Sequence, residues 1–279
     1  MKTNEKPQII ETCKAATLAM RKSIVRMTYR SGNVGAHIGG ALSMVEIMAV
    51  LYLAILRYDL SDRMSAKRDR FILSKGHGAM ALYAALNQAG VLTDQELERF
   101  KTNETVLGGH PSMNREKLIE FSSGSLGQGL SLGVGVCLGL EKVKNQTPNV
   151  YVLLGDGECN EGSIWEAAMA ASHYGLNRLV AIIDQNGLQY DGMTAEVMDM
   201  GSAENKWKSF GWDVITVDGH SIESLYDAFR TKHERPMAII ANTVKGKGIS
   251  FMENNALWHN NRLSAKQYEQ ALAELEALA

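Results

Sequence analysis

Short apolar runs alternate along this chain with longer segments in which apolar residues recur every three or four positions. Mainly apolar runs bounded by polar or glycine positions are typical of strands that are buried on both faces of a sheet. They predict five strands, over residues 71–73, 150–154, 179–184, 213–217 and 237–241.

Segments with helical spacing lie between these strands. They predict helices over residues 9–30, 43–56, 79–88, 162–174 and 221–233. The glycine-rich segment 123–140 predicts a further helix that begins at its N-terminal end and packs closely against its neighbours.

Two capping signals mark shorter or later helices. Thr93 with Glu96 forms a capping box for a short helix that ends at Phe100, and Ser264 with Gln267 opens a last amphipathic helix. The apolar face of this last helix is predicted to contain Leu272, Leu275 and Leu278.

Strands that alternate with helices indicate a parallel sheet covered by helices on both faces. No internal repeat, low-complexity tract or proline-rich linker divides the sequence. We therefore expect a doubly wound α/β fold with a mostly parallel sheet, formed by a single domain over residues 1–279.

Composition narrows the functional classes. The formal net charge of the 279 residues is −2, so electrostatics gives no reason to expect nucleic acid or an anionic membrane as a partner. The longest apolar tract, 126–140, is too short to span a bilayer, and the polar N-terminal residues lack the apolar core of a signal peptide. The three cysteines are far apart in the sequence, which fits a reducing cytoplasm.

The segment with the most informative chemistry begins where the strand 150–154 ends. Asp156 stands there between two glycines, and Asn186 follows the next predicted strand. In an open parallel sheet, ligands bind beyond the carboxyl ends of the strands, and a helix N-terminus such as the one at Gly162 favours anions. Carboxylate and amide oxygens suit Mg²⁺, which usually completes its coordination with phosphate and water. The local chemistry therefore predicts a metal ion together with a diphosphate.

This strand–GDG–helix–strand–Asn pattern resembles the diphosphate-binding signature of thiamine diphosphate enzymes, and within that superfamily the chain resembles transketolases. A single GDG could be only a turn at a strand end, but the resemblance extends from about residue 20 to residue 259. The segments that carry it, in family order, are SGNVGAHIGGALSMVEI, DRFILSKGHGAMALYAAL, GGHPS, SSGSLGQGLSLGVGVCLGL, VYVLLGDGECNEG with its following helix and IIDQNGLQYDG, and TVKGKGISFMENNALWH. The thiamine diphosphate-binding fold and this cofactor are what the resemblance implies.

The resemblance implies a metal site and a diphosphate site. Asp156, Asn186 and the main-chain carbonyl of Leu188 would bind Mg²⁺, or another divalent cation such as Ca²⁺ or Mn²⁺. Gly155 and Gly157 would let the backbone approach the phosphates closely.

Four further residues are expected to bind the cofactor because they match family positions. His77 and Lys245 would contact the diphosphate, the backbone of Gly124 would lie near it, and Leu126 would pack against the thiazolium ring. For Lys245 the alternative is a solvated loop lysine.

Four residues have implied catalytic roles. His37 would lie beside the reactive carbon of the cofactor, His110 would bind hydroxyls of the donor sugar, and His259 would assist proton transfer. Imidazoles suit this chemistry because they donate and accept protons near neutral pH. Glu161 would link two active sites across a dimer interface, although it could also be only a favourable acid at the start of a helix.

Half of the active site is expected from another polypeptide. In transketolases the glutamate that activates the pyrimidine ring, and the groups that hold the sugar phosphate, belong to a second α/β domain that would follow the point where this chain ends. We therefore expect the diphosphate-binding subunit of a split transketolase, which transfers a two-carbon ketol unit from a ketose to an aldose. Its partner would be a C-terminal, pyrimidine-binding subunit in an α₂β₂ heterotetramer.

Two alternatives differ from this prediction. A subunit of a deoxyxylulose-phosphate synthase-like or other thiamine diphosphate enzyme would use pyruvate instead of a ketose as donor. A non-catalytic, cofactor-binding subunit would show no turnover with its partner. The sugar-handling segments around His110 and His259 favour a transketolase. The sequence does not identify the donor and acceptor sugars.

Overall fold

A computed structural model describes residues 5–103, 105–142 and 148–278 of the chain. Its sheet contains five parallel strands within these residues, in the order β1–β2–β3–β5–β4. The strands are β1 Arg70–Leu73, β2 Val150–Gly155, β3 Leu179–Gln185, β4 Asp213–Asp218 and β5 Met237–Asn242. All five predicted strands are confirmed, each to within one residue at either end.

Helices precede, separate and follow the strands. Those of the described residues are α1 Glu5–Arg30, α2 Gly39–Leu42, α3 Val45–Val50, α4 Ala79–Gln88, α5 Asp94–Glu98, α6 Gly129–Lys142, α7 Gly162–His173, α8 Thr194–Met198, α9 Ala203–Ser209, α10 Ile222–Arg230 and α11 Ala265–Glu276. None of the helices in this part of the chain combines the length and apolar composition needed to cross a bilayer.

Two apolar cores lie on opposite faces of the sheet. On β2, Tyr151 and Leu153 pack on one face with residues of α1, α3, α4, α10 and α11. Val152 and Leu154 pack on the other face with residues of α6, α7 and α9. Because every residue of β2 is buried, the strand is a continuous apolar run instead of an alternating one. The predicted doubly wound α/β fold is confirmed.

The strand register brings the chemically important strand ends together. Gly155 of β2 pairs with Asp184 of β3, and Asp184 pairs with Ala241 of β5. The loops that follow these three strands therefore leave the sheet side by side at its carboxyl edge. This edge is where an open parallel sheet binds its ligands.

Both predicted capping boxes are present, at Thr93–Glu96 and at Ser264–Gln267. Within the last helix, Leu275 is buried but Leu278 is 67% exposed. The prediction that Leu278 belongs to the buried face was wrong, because it lies beyond the end of α11 at Glu276.

Several predicted helix boundaries differ from the structure. The first helix begins at Glu5 instead of residue 9, and the short helix α5 ends at Glu98 instead of Phe100. The helix expected over 43–56 is α-helical only to Val50 and continues as a π-helical turn to Ile55, closed by the bond from Leu56 N to Leu51 O. The helix expected over 221–233 ends at Arg230, since the polar residues after it have nothing to bury. The glycine-rich helix begins only at Gly129, and residues 123–128 form an irregular loop.

The short helices α2, α8 and α9 were not predicted from the sequence. No residue of α8 is buried, so no apolar periodicity marks it. A capping signal does precede α9, because the Ser202 side chain accepts a hydrogen bond from Asn205 N.

Candidate active site

A cavity of about 380 Å³ opens at the carboxyl edge of the sheet, beyond β2 and β3. Ten of the residues singled out by the sequence line it: His77, Leu126, Gly155, Asp156, Gly157, Glu161, Asn186, Leu188, Lys245 and His259. His37 joins this group through ring contacts with His77 and His259. His110 and Gly124 do not line this cavity. They lie next to each other, and the ring of His110 contacts that of His37.

Asp156 begins the loop that follows β2. Its Oδ1 accepts a hydrogen bond from Gly157 N at 2.8 Å, and its Oδ2 accepts one from Gly187 N at 2.6 Å. Burial raises the pKa of this carboxyl, and the negative charge of Asp184 raises it further. A cation next to Asp156 would therefore relieve an unfavourable charge, as a metal ion does.

Asn186 and Leu188 lie in the neighbouring loop after β3. The Asn186 Oδ1 accepts a hydrogen bond from Leu188 N at 3.1 Å, and its Nδ2 donates to Asp184 Oδ2 at 3.2 Å. The amide orientation is thus fixed, with the oxygen turned away from Asp184. All three predicted metal ligands line one cavity, and their role as ligands stays a prediction.

Lys75 and Asp184 form a buried ion pair beneath the cavity, which the sequence analysis missed. Their side chains are 1% and 0% exposed. Burial alone would raise the pKa of Asp184, but Lys75 and hydrogen bonds from Ser43 and Thr243 outweigh it and lower this pKa. The pair joins the ends of β1, β3 and β5, and only the position of Lys75 in a matched segment could have indicated it.

Lys245 extends into the cavity from the loop after β5. It is only 1% exposed, and its Nζ donates to the carbonyls of Leu188 and Gln189 at 2.9 and 3.0 Å. Burial lowers the pKa of Lys245 to about 8, and the nearby Lys75 ammonium contributes to this. The alternative of a solvated loop lysine was wrong.

The four histidines predicted to act in catalysis or cofactor binding are close together. The His37 ring lies 5.4 Å from His110, 5.4 Å from His259 and 5.7 Å from His77, measured between centroids. The sequence separates these residues widely, so the fold brings them together. The exposed ring of Tyr190, which the sequence analysis did not single out, lies 5.1 Å from that of His259.

These histidines are neutral near pH 7. Burial lowers the pKa of His37 to about 4 and that of His259 to about 3, and it lowers the pKa of His77 well below the usual value. Neighbouring positive charges, among them Lys245, act in the same direction. Each neutral ring therefore has one donor and one acceptor nitrogen. The acceptor of His259 is its Nδ1, which receives a hydrogen bond from Lys245 Nζ at 2.9 Å.

Two buried polar atoms near the cavity have no hydrogen-bond partner within the described part of the protein. They are the Nδ1 of His37 and the Nε2 of Gln189. Buried polar groups are normally satisfied, so a polar ligand here would complete the hydrogen bonding. Gln189 also lies against Gly157, where an added Cβ would be 2.8 Å from the Gln189 Cδ.

Glu158 holds the loop 123–128 against the sheet, and the sequence analysis missed it as well. Its carboxylate accepts hydrogen bonds from Gly127 N at 2.9 Å, from Gly155 N at 3.0 Å and from the Ser74 hydroxyl. Burial raises its pKa. Through this contact the loop presents Leu126, which is 37% exposed, to the cavity.

Glu161 and Cys159 occupy contrasting positions in the same loop. Glu161 is exposed at the N-cap of α7, and its side chain makes no capping hydrogen bond. Its predicted contact across a dimer interface stays a prediction. Cys159 is fully buried, and burial raises the pKa of its thiol well above the usual value. It is therefore a passive thiol near neutral pH.

Comparisons with known proteins agree with this geometry. The family described as "Transketolase, thiamine diphosphate binding domain" matches residues 18–276. One of the subunits of apulose-4-phosphate transketolase from Phocaeicola vulgatus is 40% identical over 269 residues, covering 95% of this chain and 94% of that protein. A 6-deoxy-6-sulfo-D-fructose transketolase subunit of Clostridium sp. is 40% identical over 250 residues, covering 88% and 90%. Transketolase of Homo sapiens is 38% identical over 277 residues, which cover 99% of this chain and 44% of that protein.

Solved transketolase structures share the fold. The enzyme from Leishmania mexicana superposes with a TM-score of 0.87 at 27% identity, covering 95% of this chain and 41% of that one. The enzyme from Campylobacter jejuni gives a TM-score of 0.88 at 24% identity, covering 96% and 43%. The chain therefore spans less than half the length of these longer transketolases and nearly the whole length of the separate subunits.

Proposed function

Because the chain belongs to the transketolase family and matches its thiamine diphosphate-binding domain, we propose that it is the diphosphate-binding subunit of a split transketolase. In this proposal residues 1–279 form a single diphosphate-binding domain. Its reaction is the transfer of a two-carbon ketol unit from a ketose donor to an aldose acceptor.

One observation carries the proposal. Asp156, Asn186 and the Leu188 carbonyl line one cavity, and the buried Lys245 ammonium already donates to that carbonyl. Positive charge is thus accommodated where the metal is expected. The residues fit Mg²⁺, or Ca²⁺ or Mn²⁺ in its place, with diphosphate oxygens and water completing the coordination. Gly155, Gly157, His77, Lys245 and Gly124 would surround the diphosphate, and Leu126 would contact the thiazolium ring.

Bound thiamine diphosphate supplies stabilisation of negative charge on carbon when the bond next to a ketose carbonyl breaks. The protein binds and orients the cofactor and the substrate, and it moves protons. His37 and His259, kept neutral by burial, would donate and accept protons beside the reacting carbon. His110 would hold the hydroxyls of the donor sugar. Glu161 would connect the two active sites of the assembled enzyme.

The remaining half of the site is assigned to a partner. Relatives of nearly the same length are called transketolase subunits, whereas human transketolase contains more than twice the matched length. We assign the pyrimidine-activating glutamate to a C-terminal subunit, in an α₂β₂ heterotetramer. Three free, buried cysteines support a cytoplasmic location. Two of the relatives are named for apulose-4-phosphate and for 6-deoxy-6-sulfo-D-fructose, so we propose to search for the donor among sugar phosphates and sulfonated sugars.

Reconstitution tests the proposal. The purified chain is mixed with its cognate pyrimidine-domain partner, thiamine diphosphate and Mg²⁺, and cofactor binding is followed by calorimetry. Ketol transfer is measured over a panel of ketose donors, with pyruvate as the competing donor. We expect ketose-dependent transfer by the pair and none by either protein alone. Pyruvate-dependent turnover, no turnover on any donor, or full activity of this chain alone would contradict the proposal.

A further inference from the structure

Lys245 lies in a loop whose shape is fixed by residues remote from the cavity. Gly246, directly after it, has a φ of +80°, and a Cβ there would lie 2.3 Å from the Met252 carbonyl oxygen. Gly246 N also donates to Gly39 O at 3.0 Å. The turn therefore requires glycine and is packed on both sides. What holds the backbone on either side of Lys245 decides where its ammonium points.

A buried carboxylate supports this loop from behind. Glu46 is the one charged residue of α3 and is 7% exposed. Arg21 of α1 binds it through two nitrogens, with Nη1–Oε1 at 2.6 Å and Nη2–Oε2 at 3.0 Å. Burial alone would raise the pKa of Glu46, but Arg21 and His220 outweigh it and lower this pKa. Glu46 therefore remains an ionised acceptor inside the apolar core.

Both partners of Glu46 also bind the Lys245 loop. The His220 Nδ1 lies 3.0 Å from Glu46 Oε2, and its Nε2 accepts a hydrogen bond from Val244 N at 2.8 Å. Arg21 Nε donates to Lys247 O at 3.1 Å. One carboxylate thus holds the loop at two points, one residue before Lys245 and two residues after it.

The chemistry of each contact fixes the proton positions. A backbone N–H can only donate, so the Nε2 of His220 must be unprotonated and its Nδ1 must carry the proton. That proton is donated to Glu46. His220 therefore relays the position of the carboxylate to the Val244 amide as a neutral ring with a single tautomer.

We propose that Glu46, Arg21 and His220 are positioning residues for Lys245, and that His220 sets the affinity for thiamine diphosphate without touching it. This inference rests on the proposed function, in which Lys245 contacts the diphosphate. Residues that orient metal ligands from behind typically contribute about 10–100-fold to metal affinity or activity, and we expect an effect at the lower end of this range for a lysine that binds diphosphate.

Two substitutions of His220 separate its two bonds. In His220→Asn, the amide nitrogen can replace Nδ1 against Glu46, but the shorter side chain cannot reach Val244. In His220→Gln, the amide oxygen can replace Nε2 and keep the Val244 bond. Calorimetry of the reconstituted complex should show thiamine diphosphate affinity about tenfold weaker for His220→Asn. The loss should be smaller for His220→Gln, which keeps the Val244 bond and gives up only the Glu46 bond. At saturating cofactor, kcat should be unchanged, because the loss is in binding. His233→Asn, at a partly buried histidine beyond α10 that contacts only the nearby Arg235 carbonyl through its Nδ1, is the matched control.

A double-mutant cycle tests whether the effect passes through Lys245. In a Lys245→Ala background, His220→Asn should cause no further loss of affinity, since coupled residues are not additive. Equal effects of the Asn and Gln variants, or full additivity with Lys245→Ala, would overturn the proposal.

Amide hydrogen exchange at Val244 gives a reading that needs no cofactor. The Val244 amide should be protected in the wild-type complex and in His220→Gln, and it should exchange faster in His220→Asn. If the wild-type complex binds no thiamine diphosphate, the proposed function fails, while the exchange result still decides whether His220 holds the loop. An unprotected Val244 amide in the wild type would reject the positioning role.

Discussion

Asp156 carries a negative charge that the protein compensates only in part. Its two oxygens accept backbone hydrogen bonds, yet burial and Asp184 still raise its pKa. The charge of Asp184, in contrast, is compensated within the protein by its buried ion pair with Lys75. Of the two acidic side chains at the ends of β2 and β3, Asp156 is therefore the one that has room for an external cation.

The substitution Asp156→Ala should abolish metal-dependent retention of thiamine diphosphate in the reconstituted complex. We expect a loss of at least about 100-fold in affinity, because removing a ligand costs no less than removing its support. Calorimetry with and without Mg²⁺ measures this. Asp199→Ala is the matched control, since that exposed side chain also accepts a backbone hydrogen bond, from Gly201 N. If Asp156→Ala retains cofactor as well as Asp199→Ala does, the metal assignment is wrong.

His37 leads to a prediction about pH. Its pKa is about 4 in the folded chain against a usual 6.5, so between these values the unfolded chain binds a proton that the folded chain does not. Stability should therefore fall as the pH decreases from about 6.5 to about 4. Asp156 and Glu158, whose pKa values are raised, act in the opposite direction.

A comparison with His37→Asn isolates the histidine contribution. The free energy of unfolding, measured in urea at pH 7 and pH 5, should change less in the variant, by on the order of 1 kcal/mol. His233→Asn should behave as the wild type does. An equal or larger pH dependence in His37→Asn would show that His37 is not held neutral by the fold.

Sequence reasoning located the residues that lie in matched motifs, and it failed for residues whose partners are remote. Asp156, Asn186 and Lys245 follow strand ends or glycine-rich turns that can be recognised in the chain itself. Lys75 and Glu158 also lie in such segments, but their importance comes from partners 109 and 31 residues away. Pairing between segments depends on strand order, which the sequence pattern did not determine.

At the level of elements, the loop 123–128 shows how irregular structure can be held firmly. Glycines and serines dominate it, and a helix was expected from its first residue. Instead Glu158 accepts a hydrogen bond from Gly127 N and Ser163 donates one to Gly127 O at 2.9 Å, while Ser74 accepts one from Gly129 N directly after the loop. Local composition describes such a loop poorly because its order comes from other elements. The five strands were predicted well because a strand that is buried on both faces is mainly apolar, and its composition alone reveals it.

Glu158→Gln should loosen this loop. An amide nitrogen would face a backbone N–H of Gly127 or Gly155, and one buried donor would lose its acceptor. The expected cost is about 1–3 kcal/mol of stability, together with faster hydrogen exchange at Gly127. Urea unfolding and exchange measured by mass spectrometry test this. Glu269→Gln on the exposed face of α11 is the control, and equal stability of the two variants would contradict the role of Glu158.

The molecule as a whole leaves large apolar side chains exposed around the cavity and its rim. Val34 is 74% exposed and Leu257 is 76% exposed. They lie in loops joined by the Ala36–Asn261 bridge, next to His37 and His259. Tyr190, 65% exposed, borders the same opening. Apolar side chains gathered around a polar site indicate a surface that a partner covers, and a pyrimidine-binding subunit is the partner that the proposed function requires.

Leu257→Glu should therefore weaken association with the pyrimidine-domain subunit by about tenfold or more, because a charge would be buried in the interface. The unfolding transition of the free chain should not change, since Leu257 is exposed there. Analytical ultracentrifugation of the mixed subunits measures the association. Leu278→Glu is the matched control, as Leu278 is similarly exposed but follows α11. If both variants associate like the wild type, the partner does not cover the loop of Leu257, and the cavity would have to be completed from another side.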